Sequence, residues 1–221
     1  GDWNVSEVTE MLAMFSNAET FNQDISNWEV GQVTDMGSMF SGAEAFNQDI
    51  SNWEVGQVTD MGFMFQDASS FDQDIGSWDV SAVTEMQGMF NSFIHPMSFN
   101  QDISSWDVGQ VDNMNSMFEE NDVFNQDISG WNVSNVTDMN DMFENADAFN
   151  QDISSWCVEQ IPVEPRDFGI DSGFEGQPEL QPQWGRCPAT AELAGSEGFR
   201  MLSMPLATNS YDDLIGPLWT Q

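Results

Sequence analysis

The sequence predicts a solenoid of coils about 25 residues long, with a disulfide-closed cap at its C-terminal end. Three observations lead there. The tryptophans Trp3, Trp28, Trp53, Trp78, Trp106, Trp131 and Trp156 recur every 25 residues, except for a step of 28 between Trp78 and Trp106. The motif F-N-Q-D-I begins at Phe21, Phe46, Phe71, Phe99, Phe124 and Phe149, with Asp72 once in place of Asn. A second motif, V-T-D-M-x-x-M-F, begins in the same register at Val8, Val33, Val58, Val83, Val111 and Val136. A unit this short cannot bury its own apolar face, so neighbouring coils must stack.

Each part of the unit has its own expected conformation. F-N-Q-D-I alternates, so Phe46 and Ile50 should face inward and Asn47 and Asp49 outward. Gln48 would then also face inward and bond its copies in adjacent coils. This segment is the expected short parallel β-strand, with successive strands about 4.8 Å apart. In V-T-D-M-x-x-M-F, Met36, Met39 and Phe40 fall at i, i+3, i+4, the spacing of a short helix or 3-10 turn. Thr34 can cap that helix, and Asp35 suits the positive end of its dipole. The small residues that follow are turn formers.

Beyond the repeat, the organisation changes. Residues 1–156 form the array. Residues 157–188 break the period, hold five prolines and contain both cysteines, and they are the expected cap. Cys157 and Cys187 read as one disulfide, the alternative being two reduced thiols. The disulfide would place the chain in an oxidising, extracellular setting. Residues 189–221 read as a small polar linker, then the start of a further β-rich segment or a contact segment between subunits. Gly1-Asp2-Trp3 reads as the tail of an earlier repeat, so the chain is expected to be part of a longer protein.

Charge excludes several functions. The chain holds 38 Asp and Glu against three basic residues, for a formal charge of -35. All three, Arg166, Arg186 and Arg200, follow residue 165. Nucleic-acid binding requires cations to displace phosphate counterions, and an anionic membrane would repel this surface. No apolar run is long enough to cross a bilayer. The acidity itself reads as a solvated surface or an adaptation to high salt, rather than dedicated metal sites.

The units F-N-Q-D-I-S-N-W through V-T-D-M-G-S-M-F resemble the bacterial BspA-type (DUF285-type) surface-protein repeats, a divergent group related to leucine-rich repeats. The resemblance spans about residues 1–188, including Trp156-Cys157-Val158 and Gln183-Trp184-Gly185-x-Cys187-Pro188 as a terminal unit. It implies a leucine-rich-repeat-like fold and a secreted or cell-surface protein with adhesive or interaction roles. It implies no catalytic residues, so the expectation is a non-enzyme without a cofactor, calcium being the one candidate. The expected partners are a protein or glycan at the cell surface; the alternative, read from the array end at Gly1 and the apolar C-terminal segment, is a subunit of an extracellular filament that engages copies of itself head to tail.

Three sets of residues are candidates for function. The motif aspartates Asp24, Asp49, Asp74, Asp102, Asp127 and Asp152 would form a ladder of like charges. Such a ladder needs either turn hydrogen bonds or a bound cation such as calcium. No recognised calcium-loop pattern is present. The insertion that lengthens one spacing to 28 contains Phe93, Ile94, His95 and Pro96, an apolar bulge that either folds back or meets a partner. A lone His95 with no nucleophile pattern nearby is poor ground for catalysis. The Trp, Met and Phe columns read as core, but a partly exposed Trp ladder could stack on sugar rings. Asn4, Asn132 and Asn135 fit the N-glycosylation acceptor pattern but better suit the turn after each Trp.

Overall fold

The computed structural model describes residues 3–188. The chain divides into two compact units, Gly1–Cys187 and Pro188–Gln221. The array and the segment expected to cap it therefore fall in one unit. The expected linker and β-rich or contact segment, 189–221, lies outside the described residues.

The secondary structure differs from expectation. Among the described residues the one regular helix is a 3-10 turn at Pro178–Leu180, outside the repeats. Parallel pairing survives as a chain of isolated bridges, Glu10 to Asp35, Asp35 to Asp60, Asp60 to Glu85, Glu85 to Asn113 and Asn113 to Asp138. These bridges lie in V-T-D-M, where a helix was expected, and not in F-N-Q-D-I, where the strand was expected.

The reason is visible in where the backbone spends its donors. Through the second unit, the N–H groups of Met36, Ser38, Phe40 and Gly42 donate to the carbonyls of Asp60, Gly62, Met64 and Gln66 in the next unit, at 2.7–2.9 Å. A helix would direct every N–H to its own i−4 carbonyl. Here alternate N–H groups cross to the neighbour, and the groups between close i+3 turns, such as Met39 N–H to the Met36 carbonyl at 3.1 Å. Closing these turns takes a left-handed residue twice in a regular unit: Ser38 at φ 54° and Gly42 at φ 69° in this one. Left-handed backbone costs a residue with a Cβ about 1–2 kcal/mol, and each crossing hydrogen bond returns about 1 kcal/mol. The i, i+3, i+4 spacing of Met36, Met39 and Phe40 thus reports turns, with all three side chains buried. Thr34 caps no helix; its hydroxyl donates to the Thr9 carbonyl, and Asp35 accepts from the Gly37 N–H.

F-N-Q-D-I pairs through side chains. The Asn22 Oδ1 accepts both the Asn47 N–H at 3.0 Å and the Gln48 Nε2 at 2.8 Å. The arrangement recurs from Asn47 to Asp72 and Gln73, and from Asp72 to Asn100 and Gln101. Only an acceptor is needed at that position, which explains why Asp72 substitutes for Asn. Gln48 is half-buried and reaches the preceding Asn rather than another glutamine.

The core is a set of aromatic columns. Phe40 stacks on Phe46 within its unit at 3.9 Å and on Phe65 of the next at 5.7 Å, and Phe46 continues to Phe71 at 5.9 Å. The tryptophans from Trp28 to Trp156 are buried, which overturns the exposed Trp ladder and the sugar-stacking surface built on it. Trp3 alone among the described tryptophans of this column is exposed, at 64%. From Trp53 on, each indole N–H donates to an isoleucine carbonyl of the preceding unit: Trp53 to Ile25, Trp78 to Ile50, Trp106 to Ile75, Trp131 to Ile103 and Trp156 to Ile128. A buried indole usually finds such an acceptor, so from Trp53 on this column helps fix the register of each unit on the last; Trp28 Nε1 is buried with no partner among the described residues.

The period does not stop at Trp156. The N–H groups of Asp141, Phe143 and Asn145 donate to the carbonyls of Arg166, Phe168 and Ile170, continuing the unit-to-unit pattern with one extra residue. Phe168 then turns edge-on to Phe143, at 5.5 Å and 89°, and Phe174 lies edge-on to Phe149 at 5.4 Å. Gly173 passes so close that a Cβ there would sit 2.7 Å from the Asp147 carbonyl oxygen and 2.8 Å from that of Phe149. Cys157 and Cys187 form a disulfide across this segment. Among the described residues no helix is long and apolar enough to cross a membrane.

Candidate functional site

The insertion between Trp78 and Trp106 is built as a braced loop. At the equivalent place in other units a left-handed residue closes the turn: Asn17, Gly42, Asp67, Glu120 and Asn145. Ser92 occupies that place in the interrupted unit without a positive φ, and the chain leaves the column there. The departure is held from beneath by Asp67, which is only 9% exposed. Its Oδ1 accepts the Phe93 N–H at 2.7 Å, the Ile94 N–H at 3.1 Å and the Ser92 hydroxyl at 3.1 Å. A carboxylate receiving successive backbone donors makes strong, charge-assisted bonds. His95 Nε2 lies 3.2 Å from Glu44 Oε1. Met97 then returns to the core.

The loop does not fold back. Phe93 is 60% exposed and Ile94 71%, and His95 and Pro96 are exposed beside them. The structure therefore brings the four residues singled out from sequence together at the surface. Beside them is a cavity of about 160 Å³, which Glu120 and Asp122 of the next unit also line. Glu120 Oε1 accepts from the Asn145 amide at 2.8 Å. Burial and the charge of Asp147 push the Asp122 carboxyl above its ordinary range. Asp67, Glu44, Glu120 and Asp122 escaped the sequence reading because they belong to neighbouring units. The signal for Asp67 was its offset of one period from Ser92. Below the loop, Asn91 is fully buried and neither of its amide atoms has a partner among the described residues.

The motif aspartates sit in turns. Asp49 Oδ1 accepts the Ser51 N–H at 3.0 Å and the Ser51 hydroxyl at 2.7 Å. Asp24 and Asp152 repeat both bonds with Ser26 and Ser154. Asp102 and Asp127 accept the N–H groups of Ser104 and Ser129, and Asp74 accepts that of Gly76. The serine hydroxyl, then the serine N–H, holds the Asp24, Asp49, Asp102 and Asp127 carboxyls below the ordinary range. Asp24 and Asp102 oppose this weakly in Asp49 and Asp127, respectively, as like charges one unit away.

Two groups among the described residues place three potential ligand atoms within 4.8 Å of one another, and neither includes a ladder aspartate. Cys157, Glu159 and Cys187 are one, but the disulfide removes both thiolates. Asp141, Glu144 and Asp167 are the other, and there the Arg166 guanidinium binds Asp141 and lies 3.7 Å from Asp167.

These carboxyls give stability a defined pH dependence. Burial, then neighbouring carboxylates, raise Glu144 above its ordinary 4.5; burial also leads in raising Glu119 and Asp122. For such groups the folded state takes up protons first, so stability rises as pH falls through their folded values. The serine-bonded aspartates work oppositely: their contribution is present above the ordinary 3.8 and lost as pH falls through their lowered values. The melting temperature should therefore climb as pH falls from 7 toward the ordinary glutamate value of 4.5 and fall again below the ordinary aspartate value of 3.8. Scanning calorimetry across that range checks it; a steady decline from pH 7 downward would contradict it.

A family model described as "Mycoplasma protein of unknown function, DUF285" matches residues 1–96 and 91–169. No curated protein and no solved structure matches the chain.

Proposed function

We propose that this chain, which belongs to the DUF285 family, is a non-enzymatic binding module of the cell surface or extracellular space. In this reading its units stack as a solenoid, related to leucine-rich repeats, that acts as a rigid frame for one specific contact. That contact is the loop of Phe93, Ile94, His95 and Pro96. The observation that carries the reading is the exposure of Phe93 and Ile94 on a loop pinned by buried Asp67. Exposed apolar residues on a braced support are what a binding surface requires. The Cys157–Cys187 disulfide supports an oxidising setting.

The alternative of a head-to-tail filament rests on the segment 189–221, which lies outside the described residues.

The reading is tested by solid-phase binding of the 221-residue chain to immobilised extracellular-matrix proteins and glycans. At least one should be retained, and Phe93→Ser with Ile94→Ser should weaken it about tenfold or more at unchanged melting temperature. Retention of nothing, or equal retention of the double variant, sinks the reading.

A further inference from the structure

The cavity beside the loop has two kinds of wall. One comes from the loop, where Phe93, Ile94 and Pro96 are apolar and Ser92 and His95 lie beside them; the other carries the Glu120 and Asp122 carboxylates of the next unit. We propose that this notch takes a lysine or arginine side chain of a partner polypeptide. The inference rests on the loop being a contact surface, and it names the chemistry of what the loop contacts.

Size and shape come first. At about 160 Å³ the cavity is too small for a typical small-molecule ligand, whose pockets run about 300–1,000 Å³. It suits one long side chain. Lysine and arginine pair an apolar stem with a charged head, and they bury the stem while the head stays at a polar rim. Here the stem would lie against Ile94 and Pro96, the Phe93 ring would offer its face to the cation, and the head would reach Glu120 and Asp122.

Charge makes the same choice. Phe93 and Ile94 alone would accept any apolar partner, but the carboxylate side would repel an acidic one and leave a neutral one without compensation. Among the described residues no lysine or arginine lines this cavity. The two arginines among the described residues lie beyond the array, and Arg166 is already engaged by Asp141 and Asp167. His95 also lines the cavity, but its Nε2 is engaged by Glu44 Oε1 at 3.2 Å. With 38 acidic and three basic residues, the natural complement is a basic partner. The raised carboxyl of Asp122 agrees, because a neighbouring cation would relieve it.

An acidic protein binds cationic peptides loosely in many places, so the experiment must separate this notch from the general field. The probe is the peptide acetyl-Ala-Leu-Lys-Leu-Ala-amide, titrated into the isotopically labelled 221-residue chain and followed by NMR. Saturable shifts should concentrate at residues 92–97 and 120–122. A peptide with norleucine in place of lysine should bind about tenfold more weakly. Glu120→Gln with Asp122→Asn should cause a similar loss, and Gln at 120 still offers Asn145 its acceptor. Glu29→Gln with Glu54→Gln, which removes two charges elsewhere, should change affinity by less than about twofold.

Shifts spread over the acidic surface without saturation would overturn the proposal. So would equal binding of the norleucine peptide, or an unaffected Glu120/Asp122 variant. If the Phe93/Ile94 variant loses a matrix ligand while the lysine peptide shows no preference, the contact surface stands and the cationic notch falls. If neither effect is seen, both fall.

Discussion

Phe90→Ala should lower the unfolding free energy by about 3–5 kcal/mol, the range for truncating a fully buried phenylalanine. Phe90 has no exposed surface, stacks on Phe99 at 4.0 Å, and meets Phe65 and Phe118 on either side at 5.8 Å each. Removing the ring opens a cavity facing three phenylalanines in three units. Where units contact only their neighbours, one side chain that serves two interfaces weakens both. The backbone bond from Phe90 N–H to the Met117 carbonyl at 3.0 Å and the start of the inserted loop limit how far the site can collapse. Phe21→Ala provides the comparison. That ring is half-buried and stacks on Phe15 and Phe46, so its loss should cost less than half as much. Denaturant unfolding of both variants gives the numbers. A Phe90→Ala cost below about 1 kcal/mol would mean that the aromatic column is not what holds the units together.

Replacing both cysteines, Cys157→Ser with Cys187→Ser, should cost about 3–4 kcal/mol, the chain-entropy value for closing a loop of this length. The bridge spans a sequence separation of 30, the least regular part of the described chain. The loss should be uneven. The segment it closes supplies the carbonyls of Arg166, Phe168, Ile170 and Arg186 to the N–H groups of Asp141, Phe143, Asn145 and Val158. It also supplies the rings of Phe168 and Phe174 that cover the last phenylalanines. Hydrogen exchange at those four amides should accelerate more than at Phe40 or Phe65 in the early units. Uniform acceleration along the whole array would show instead that the chain unfolds as one block.

How much of this was legible in the sequence depended on the kind of interaction. Phe46 and Ile50 were assigned inward from alternation, and they are buried. The four residues of the inserted loop were found because a spacing of 28 stands out among spacings of 25. Asp49 offered two sequence-level roles, and its bonds to Ser51 are the turn role, formed within three residues. The local conformation of V-T-D-M-x-x-M-F was misread. Helical spacing records which side chains are buried together, not which carbonyl each N–H will find. Those N–H groups are satisfied one unit away, by partners that no local propensity describes.

By itself, then, the sequence determined the unit, its inward Phe and Ile positions and the place where the period breaks, because each of these recurs or fails to recur along the chain. The tertiary structure decided what contact between units decides. It set left-handed turns in place of helices, side-chain amides in place of a strand ladder, and a buried indole for every Trp from Trp28 to Trp156. It also decided the loop. Four residues fix its composition, but Asp67 and Glu44 from earlier units hold it, and Glu120 and Asp122 from the next unit give it a charged wall. Residues a period apart in sequence meet only when the units stack, so the notch between them exists only in the folded chain.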